Sequence, residues 1–298
     1  MSLVIVGSIG LDTIETPKGK VTDALGGSAV YGSLAASYFT RVHTVGVVGS
    51  DFPNEHIELL KRHGIEVDGL EIREGNTFRW SGKYEDWNQA QTLDTQLNVF
   101  GDFNPILPQD CLHCQTILLG NIHPDLQLQV LKQIKNYRIV ACDTMNYWIN
   151  GTRERLQEVI KRVDIVFINE EELKLYTNEQ NVFQAADLVL AQGPKLLVLK
   201  RGEYGSVLIG KEFLFFAPAY PVREVKDPTG AGDSFAGGFM GYMDQAGEFT
   251  PKNLKEAVLY GTVMAALNVS EFSVEKLTDH SLEHIQKMQT ELKSWMQV

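Results

Sequence analysis

Four short runs restrict most of what this chain can become: Thr116–Leu119, Ile139–Cys142, Ile165–Ile168 and Leu196–Leu199. Each is nearly unbroken apolar sequence rather than an alternation of apolar and polar residues, which is the mark of a strand covered on both faces. Helical spacing fills the segments between them, and strands alternating with helices build a parallel sheet flanked on either side. Leu3–Val6, stopped by Gly7, and Val42–Gly49 extend the set toward the N-terminus. Asp51 then caps a helix that runs to about Arg62, and Ile65–Ile72 returns as a strand. Ser206–Ile209 and Phe213–Phe216 read as a hairpin at the sheet edge.

Two stretches break this rhythm. Thr13–Leu25 is polar, with Pro17 and a Lys18-Gly19-Lys20 turn, and fits a hairpin. Thr77–Tyr84 alternates aromatic and charged residues, as a strand exposed on one face would. Together they predict a small β lid, from about 12–25 and 70–104, on a central, mostly parallel sheet within one α/β domain spanning 1–298. A chain of 298 residues that is 44% hydrophobic can bury a core of that size. Phe78 and Trp80 either fill the lid or offer an apolar wall to a base or sugar.

The chemistry concentrates in Asp227-Pro-Thr-Gly-Ala-Gly-Asp233. Pro228 and the glycines at 230 and 232 stop the preceding strand, and a helix begins at Ala231 with Ala236, Gly237, Gly238 and Gly241 allowing close packing. The free N–H groups of Gly230 to Asp233 carry partial positive charge and no side chain bars an anion from them. Asp233 either favours the helix dipole or accepts a proton from a hydroxyl lying between it and a bound phosphate. Asp12 follows the first strand as a turn residue or as an acceptor for sugar hydroxyls. Gly26-Gly27-Ser28 opens a helix, with Ser28 as its cap or the glycines admitting a substrate to the backbone. Asn121 and Asp143 end strands, where capping and substrate roles are both open. Asn169-x-x-Glu172 starts a helix after the strand at 165–168, and Lys200 is either a counter-charge for phosphate or a surface ion-pair partner.

The stretch at 227–233 resembles the signature of the PfkB/ribokinase family of sugar and nucleoside kinases, and the order of the other motifs resembles that family over essentially the full length. The resemblance implies a ribokinase-like fold and an ATP- and Mg2+-dependent kinase. Asp233 would be its catalytic base, and the amides of Gly230, Ala231 and Gly232 its anion hole. On the substrate side it implies Asp12, Gly26, Gly27 and Ser28, joined by Phe78, Trp80 and Asn121. Tyr31 stands where ribokinase-like sequences usually carry an Asn, a departure that points away from plain ribose. The nucleotide would meet Asn169, Lys200, the Gly202–Gly205 turn (Gly202, Gly205), Thr229 and Asn268, while Glu172 would help hold magnesium through water. Glu271–Val274 lacks the glycine often found in the loop where such kinases bind a monovalent cation. Lid strands in this family can pair across dimers, and an exposed lid sheet has unsatisfied edges that invite such pairing, so a homodimer through the lid is the expectation. Asp-Pro-Thr and the aromatic lid resemble nucleoside-type members. A nucleoside kinase is therefore expected ahead of a simple sugar kinase of the ribokinase or fructokinase type, or a nucleotide-binding regulator without catalysis.

Several classes are disfavoured. A net charge of −11 and a pI near 5.1 argue against binding nucleic acid. With no 18-residue apolar run and no signal-like N-terminus, neither membrane nor export is expected, and the cytoplasm is. The sequence has no G-x-x-x-x-G-K-[ST], and no G-x-G-x-x-G follows the first strand, so neither a P-loop nor a dinucleotide fold is indicated. Cys111-Leu-His-Cys114 lacks a second ligand pair and reads as a turn with half-buried thiols rather than a zinc site. His280-Ser-Leu-Glu-His284 matches a zinc-protease pattern by chance, on an amphipathic, solvated helix.

Overall fold

The structure, a computed structural model, describes residues 1–87 and 89–296; residue 88, within the expected lid range, lies outside the described residues. A nine-stranded sheet forms its centre. The strands are Ser2–Val6 (β1), Arg41–Gly49 (β4), Ile65–Arg73 (β5), Thr116–Leu119 (β8), Ile139–Asp143 (β9), Ile165–Asn169 (β10), Leu196–Lys200 (β11), Ser206–Gly210 (β12) and Phe213–Ala217 (β13). Their order is β13-β12-β11-β10-β9-β8-β1-β4-β5, parallel from β11 to β5, with β12 and β13 adding an antiparallel edge. A second sheet, β3-β2-β6-β7, is built from Gly10–Thr16 (β2), Gly19–Gly26 (β3), Phe78–Asp86 (β6) and Gln89–Gln96 (β7). Its two hairpins are antiparallel and meet through a parallel β2–β6 pairing.

The apolar runs are strands because each has two faces to bury. β1 sends Leu3 and Ile5 into one core and Val4 and Val6 into the other. The first core lies under Ser28–Ser37 (α1), Ala231–Ala246 (α8), Pro251–Val269 (α9) and Leu282–Trp295 (α11). Beneath Pro124–Gln133 (α3), Arg153–Ile160 (α5), Glu170–Thr177 (α6) and Val182–Leu190 (α7) lies the second. Asn54–Arg62 (α2), Asn146–Gly151 (α4) and Glu275–Thr278 (α10) complete the helices of the described residues. The small residues of α8 are needed for its approach to α1. A Cβ on Gly237 would collide with the Gly32 carbonyl, and one on Gly241 would lie 2.8 Å from the Ala36 Cα.

Three local expectations change. The second half of the lid sheet, β6 and β7, is narrower than the expected 70–104, because Ile65–Arg73 pairs with β4 in the large sheet and Asn98–Asp102 is a 3-10 turn, while the first half reaches slightly beyond 12–25 at both ends. Asp51 does not cap α2, which starts at Asn54 after Pro53. Instead its carboxylate accepts from Thr77 N at 2.7 Å, Thr77 Oγ1 at 2.6 Å and Arg79 Nη1 at 2.8 Å, pinning the start of β6 to the large sheet. Gly27, at φ 101°, takes the cap position of α1, and Ser28 is the first helical residue.

Candidate active site

Because β9, β10 and β11 run parallel, their last residues, Asp143, Asn169 and Lys200, emerge at one edge of the sheet, where open α/β sheets take ligands. The start of α8 meets them there. Gly230, at φ 76° and ψ 0°, caps α8 in the left-handed region, and a Cβ at that position would collide with the ring of Tyr31. Ala231 N donates to the Pro228 carbonyl at 3.2 Å, so of the three amides expected to form an anion hole it is engaged within the loop. Those of Gly230 and Gly232 donate to no group outside the helix among the described residues. Asp227 organises the turn, accepting from Thr229 N at 2.9 Å and Ser273 N at 3.1 Å.

Lys200 is the cation of the site. Its Nζ lies 2.6 Å from Asp143 Oδ2, with side chains 18% and 4% exposed, and a Cβ on Gly232 would be only 2.9 Å from it. The pair is therefore neither a surface salt bridge nor remote from the glycines. Burial alone would depress the ammonium, but Asp143, Glu172 and Asp233 override that and hold it above the ordinary lysine value. Asp233, in the first turn of α8, is pushed up to about 7 by burial, with Asp143 adding and Lys200 offsetting. Glu172 is pushed up to about 7 by burial, which Lys200 offsets and Asp143 reinforces.

On the lid side, Asp12 is buried and its carboxylate occupies the space a side chain on Gly26 would need. Burial raises it to about 8, with Asp227 and Asp233 adding to the effect. At neutral pH it is largely a neutral acid, able to donate and to accept. Tyr31 is 1% exposed, and its hydroxyl has no hydrogen-bond partner among the described residues. Burial raises that phenol well above its usual value, with Asp12, Asp227, Tyr84 and Asp233 contributing. The Tyr84 hydroxyl, from β6, accepts from Thr229 Oγ1 at 3.1 Å and so joins the lid to the helix start. Trp80 stands beside Asp12 in the β2–β6 register, half-buried over Gly82, with Nε1 donating to Thr92 Oγ1 at 3.3 Å. Phe78 instead packs against Gly10 and on Phe100 at 5.5 Å, as part of the core.

Other predicted residues serve the frame. Asn169 and Glu172 form a reciprocal capping box: Asn169 Oδ1 accepts from Glu172 N at 2.8 Å, and Glu172 Oε2 accepts from Asn169 N at 2.9 Å. The second Glu172 oxygen makes no hydrogen bond among the described residues. Asn268 is buried and holds the turn from below, donating to the Thr229 carbonyl at 2.7 Å and accepting from Ser234 Oγ at 3.1 Å. Ser28 Oγ accepts from Ser8 N at 3.1 Å, fastening α1 to the end of β1. Gly202 and Gly205 take φ 53° and 84°, closing a turn in which Arg201 N donates to the Gly205 carbonyl at 2.9 Å. Asn121 Oδ1 accepts from Trp148 Nε1 at 3.0 Å. Asp143, read from the sequence as a strand end with capping or substrate roles, is instead the partner of Lys200, and Tyr84 was given no site role although it closes the aromatic alternation of the lid.

The model of the pfkB family carbohydrate kinases matches residues 2–280. Over 267 residues the chain is 31% identical to a cytidine kinase of Thermococcus kodakarensis, covering 88% of this chain and 93% of that one. Over 218 residues it is 25% identical to a nucleoside kinase of Methanocaldococcus jannaschii, covering 70% and 71%. A crystal structure of the Methanocaldococcus jannaschii nucleoside kinase, an archaeal member of the ribokinase family, matches with a TM-score of 0.78 at 20% identity, covering 97% and 98% of the two chains. The α/β fold is therefore ribokinase-like.

Proposed function

The chain belongs to the pfkB family of carbohydrate kinases and is a phosphotransferase, and on that footing we propose that it phosphorylates a hydroxyl of a nucleoside, using ATP and magnesium. One observation carries the reading. Asp233 is a carboxyl raised to about 7 in the first turn of a helix whose free amides and neighbouring Lys200 suit a phosphate. Asp233 accepts the proton of the acceptor hydroxyl as that oxygen bonds to the γ-phosphorus. The bond from phosphorus to the bridging oxygen breaks, and ADP leaves with its electron pair. The Gly230 and Gly232 amides and Lys200 face the charge that spreads over the transferred group. Glu172, whose second oxygen makes no hydrogen bond among the described residues, suits water-mediated hold of a magnesium ion, which when bound neutralises phosphate charge.

A nucleoside acceptor is supported by the cytidine and nucleoside kinase relatives, by Tyr31 in place of an Asn, and by Trp80 as a flat face beside Asp12. Release of ADP should be measured with cytidine, other nucleosides, ribose and fructose. Turnover on the free sugars alone would remove the nucleoside reading, and turnover on no alcohol would leave only a nucleotide-binding regulator. Asp12, as donor and acceptor to ribose hydroxyls, binds ground state and transition state alike. Asp12→Ala should therefore raise KM far more than it lowers kcat. An unchanged KM for the best substrate would take Asp12 out of the site.

The reading extends to a homodimer through the lid. Positions 90–96 of β7 are exposed along an unpaired edge, with Leu93 at 55%. A monomeric mass by sedimentation at micromolar protein would exclude it. A monovalent cation at the loop of residues 271–274, which lacks the glycine often found there, would make the rate depend on potassium; rates unchanged by potassium would discount it. No described helix is long and apolar enough to cross a membrane, and the cytoplasm, with its ATP, is the expected location.

A further inference from the structure

The Cys111-Leu-His-Cys114 run lies at the edge of the large sheet opposite the kinase site, in the turn that precedes β8. Local spacing gave it no second pair of ligands, but the fold supplies one. β4 and β5 lose register between His43 and Val45, so that Thr44 faces two residues, Val67 and Asp68. A bulge of this kind re-aims side chains, and here Asp68 Oδ1 comes to 3.5 Å from His43 Nδ1. The approach does not complete a hydrogen bond. His43 is 3% exposed and its Nδ1 has no hydrogen-bond partner among the described residues, an arrangement that a folded chain rarely leaves uncompensated. Cys111, a free and fully buried thiol, closes the group: the ligand atoms of His43, Asp68 and Cys111 all lie within 4.8 Å of one another.

We propose that His43 Nδ1, Asp68 Oδ1 and Cys111 Sγ bind one zinc ion, with water in the fourth position. The donor set selects the metal. Thiolate, imidazole and carboxylate together suit zinc, whereas magnesium and calcium take shells of oxygen. Zinc bonds of about 2.0–2.3 Å draw tetrahedral ligands to roughly 3.5 Å apart. The contraction required is small, and Asp68, with a side chain 44% exposed, has room to make it. The Cys111 thiol proton passes to solvent on binding. Cys114 stands outside the set, its Sγ 3.2 Å from Ser2 Oγ, so the two cysteines of the motif are divided between the metal and the first strand. An ion pair between His43 and Asp68 alone would leave the thiol unused. The ion would instead fasten the edge strand β5 to β4 and to the turn before β8, three segments far apart in sequence.

Cobalt reports such a site directly, because a cobalt–thiolate bond gives a near-ultraviolet charge-transfer band and tetrahedral geometry gives strong visible bands. Full-length protein stripped by a chelator and held in excess magnesium, which occupies the kinase site, should take up one Co2+ per chain with both signatures. One equivalent of Zn2+ should displace it and raise Tm. Cys111→Ser should abolish the charge-transfer band and Cys142→Ser should keep it. Asp68→Asn, at an exposed position that leaves folding intact, should weaken binding by about tenfold or more. The proposal falls if the parent protein shows no stoichiometric charge-transfer band, or if Asp68→Asn binds Co2+ as tightly as the parent.

Discussion

Asp233→Asn should lower kcat by roughly two to four orders of magnitude, the usual worth of a positioned general base. The amide keeps the size of the carboxylate and the start of α8 but cannot accept the hydroxyl proton. Its effect on pH dependence follows from the raised value of the parent side chain. In the ligand-free protein Asp233 titrates at about 7, so it is protonated and inactive as a base below that value and competent above it. For the parent, kcat/KM, which reports groups of the free enzyme, should rise with pH through about 7. For Asp233→Asn that rising limb should be missing. Nucleotide affinity at pH 8, where the parent carboxylate is charged, should stay equal or improve, because a negative charge beside the phosphates has gone. Near-normal turnover in the variant would make Asp233 structural and leave the proposed transfer without its base.

Features fixed by local sequence were legible, and features created by long-range contact were not. The strand runs could be read because a strand covered on both faces has to be apolar at every position, as the division of Leu3 and Ile5 from Val4 and Val6 between two cores demonstrates. The helix start at Ala231 was legible too, since only glycine sits easily at φ 76° on Gly230. Asp51 misled because an acid just before a helix resembles a cap, while its actual partners, Thr77 and Arg79, lie well downstream. Cys111 and Cys114 were expected to be half-buried and are fully buried, in a core made with strands distant in sequence. Ala231 shows a smaller miss of the same kind. Its amide belongs by position to an anion hole, yet the loop turns back and Pro228 accepts from it. Lys200 was recognisable as a charge at a strand end, but Asp143, 57 residues away, decides what that charge does.

Lys200→Met tests that partnership, because it keeps most of the apolar stem and removes the ammonium. Asp143, 4% exposed, would then be left as a buried charge with no cation. Removing one member of a buried pair costs about 3–5 kcal/mol, because the other is stranded rather than released. The lower end applies here, since Lys200 is 18% exposed and Asp143 Oδ1 also accepts from Thr144 N at 2.8 Å. Urea unfolding at neutral pH should register a loss on the order of 3 kcal/mol. Lys200→Met combined with Asp143→Asn should recover much of it, since the Asp143 charge is then no longer stranded. Lys200 also offsets the burial that raises Asp233, so without it Asp233 should titrate above about 7 and the rising limb of kcat/KM should move to higher pH. Lys200→Arg keeps the charge and should restore stability better than activity, because a planar fork cannot occupy the compact place of an ammonium against Gly232. If Lys200→Met were as stable as the parent and its pH profile unmoved, Lys200 would not be the counter-charge of this site, and the acids around it would have to be held by protonation alone.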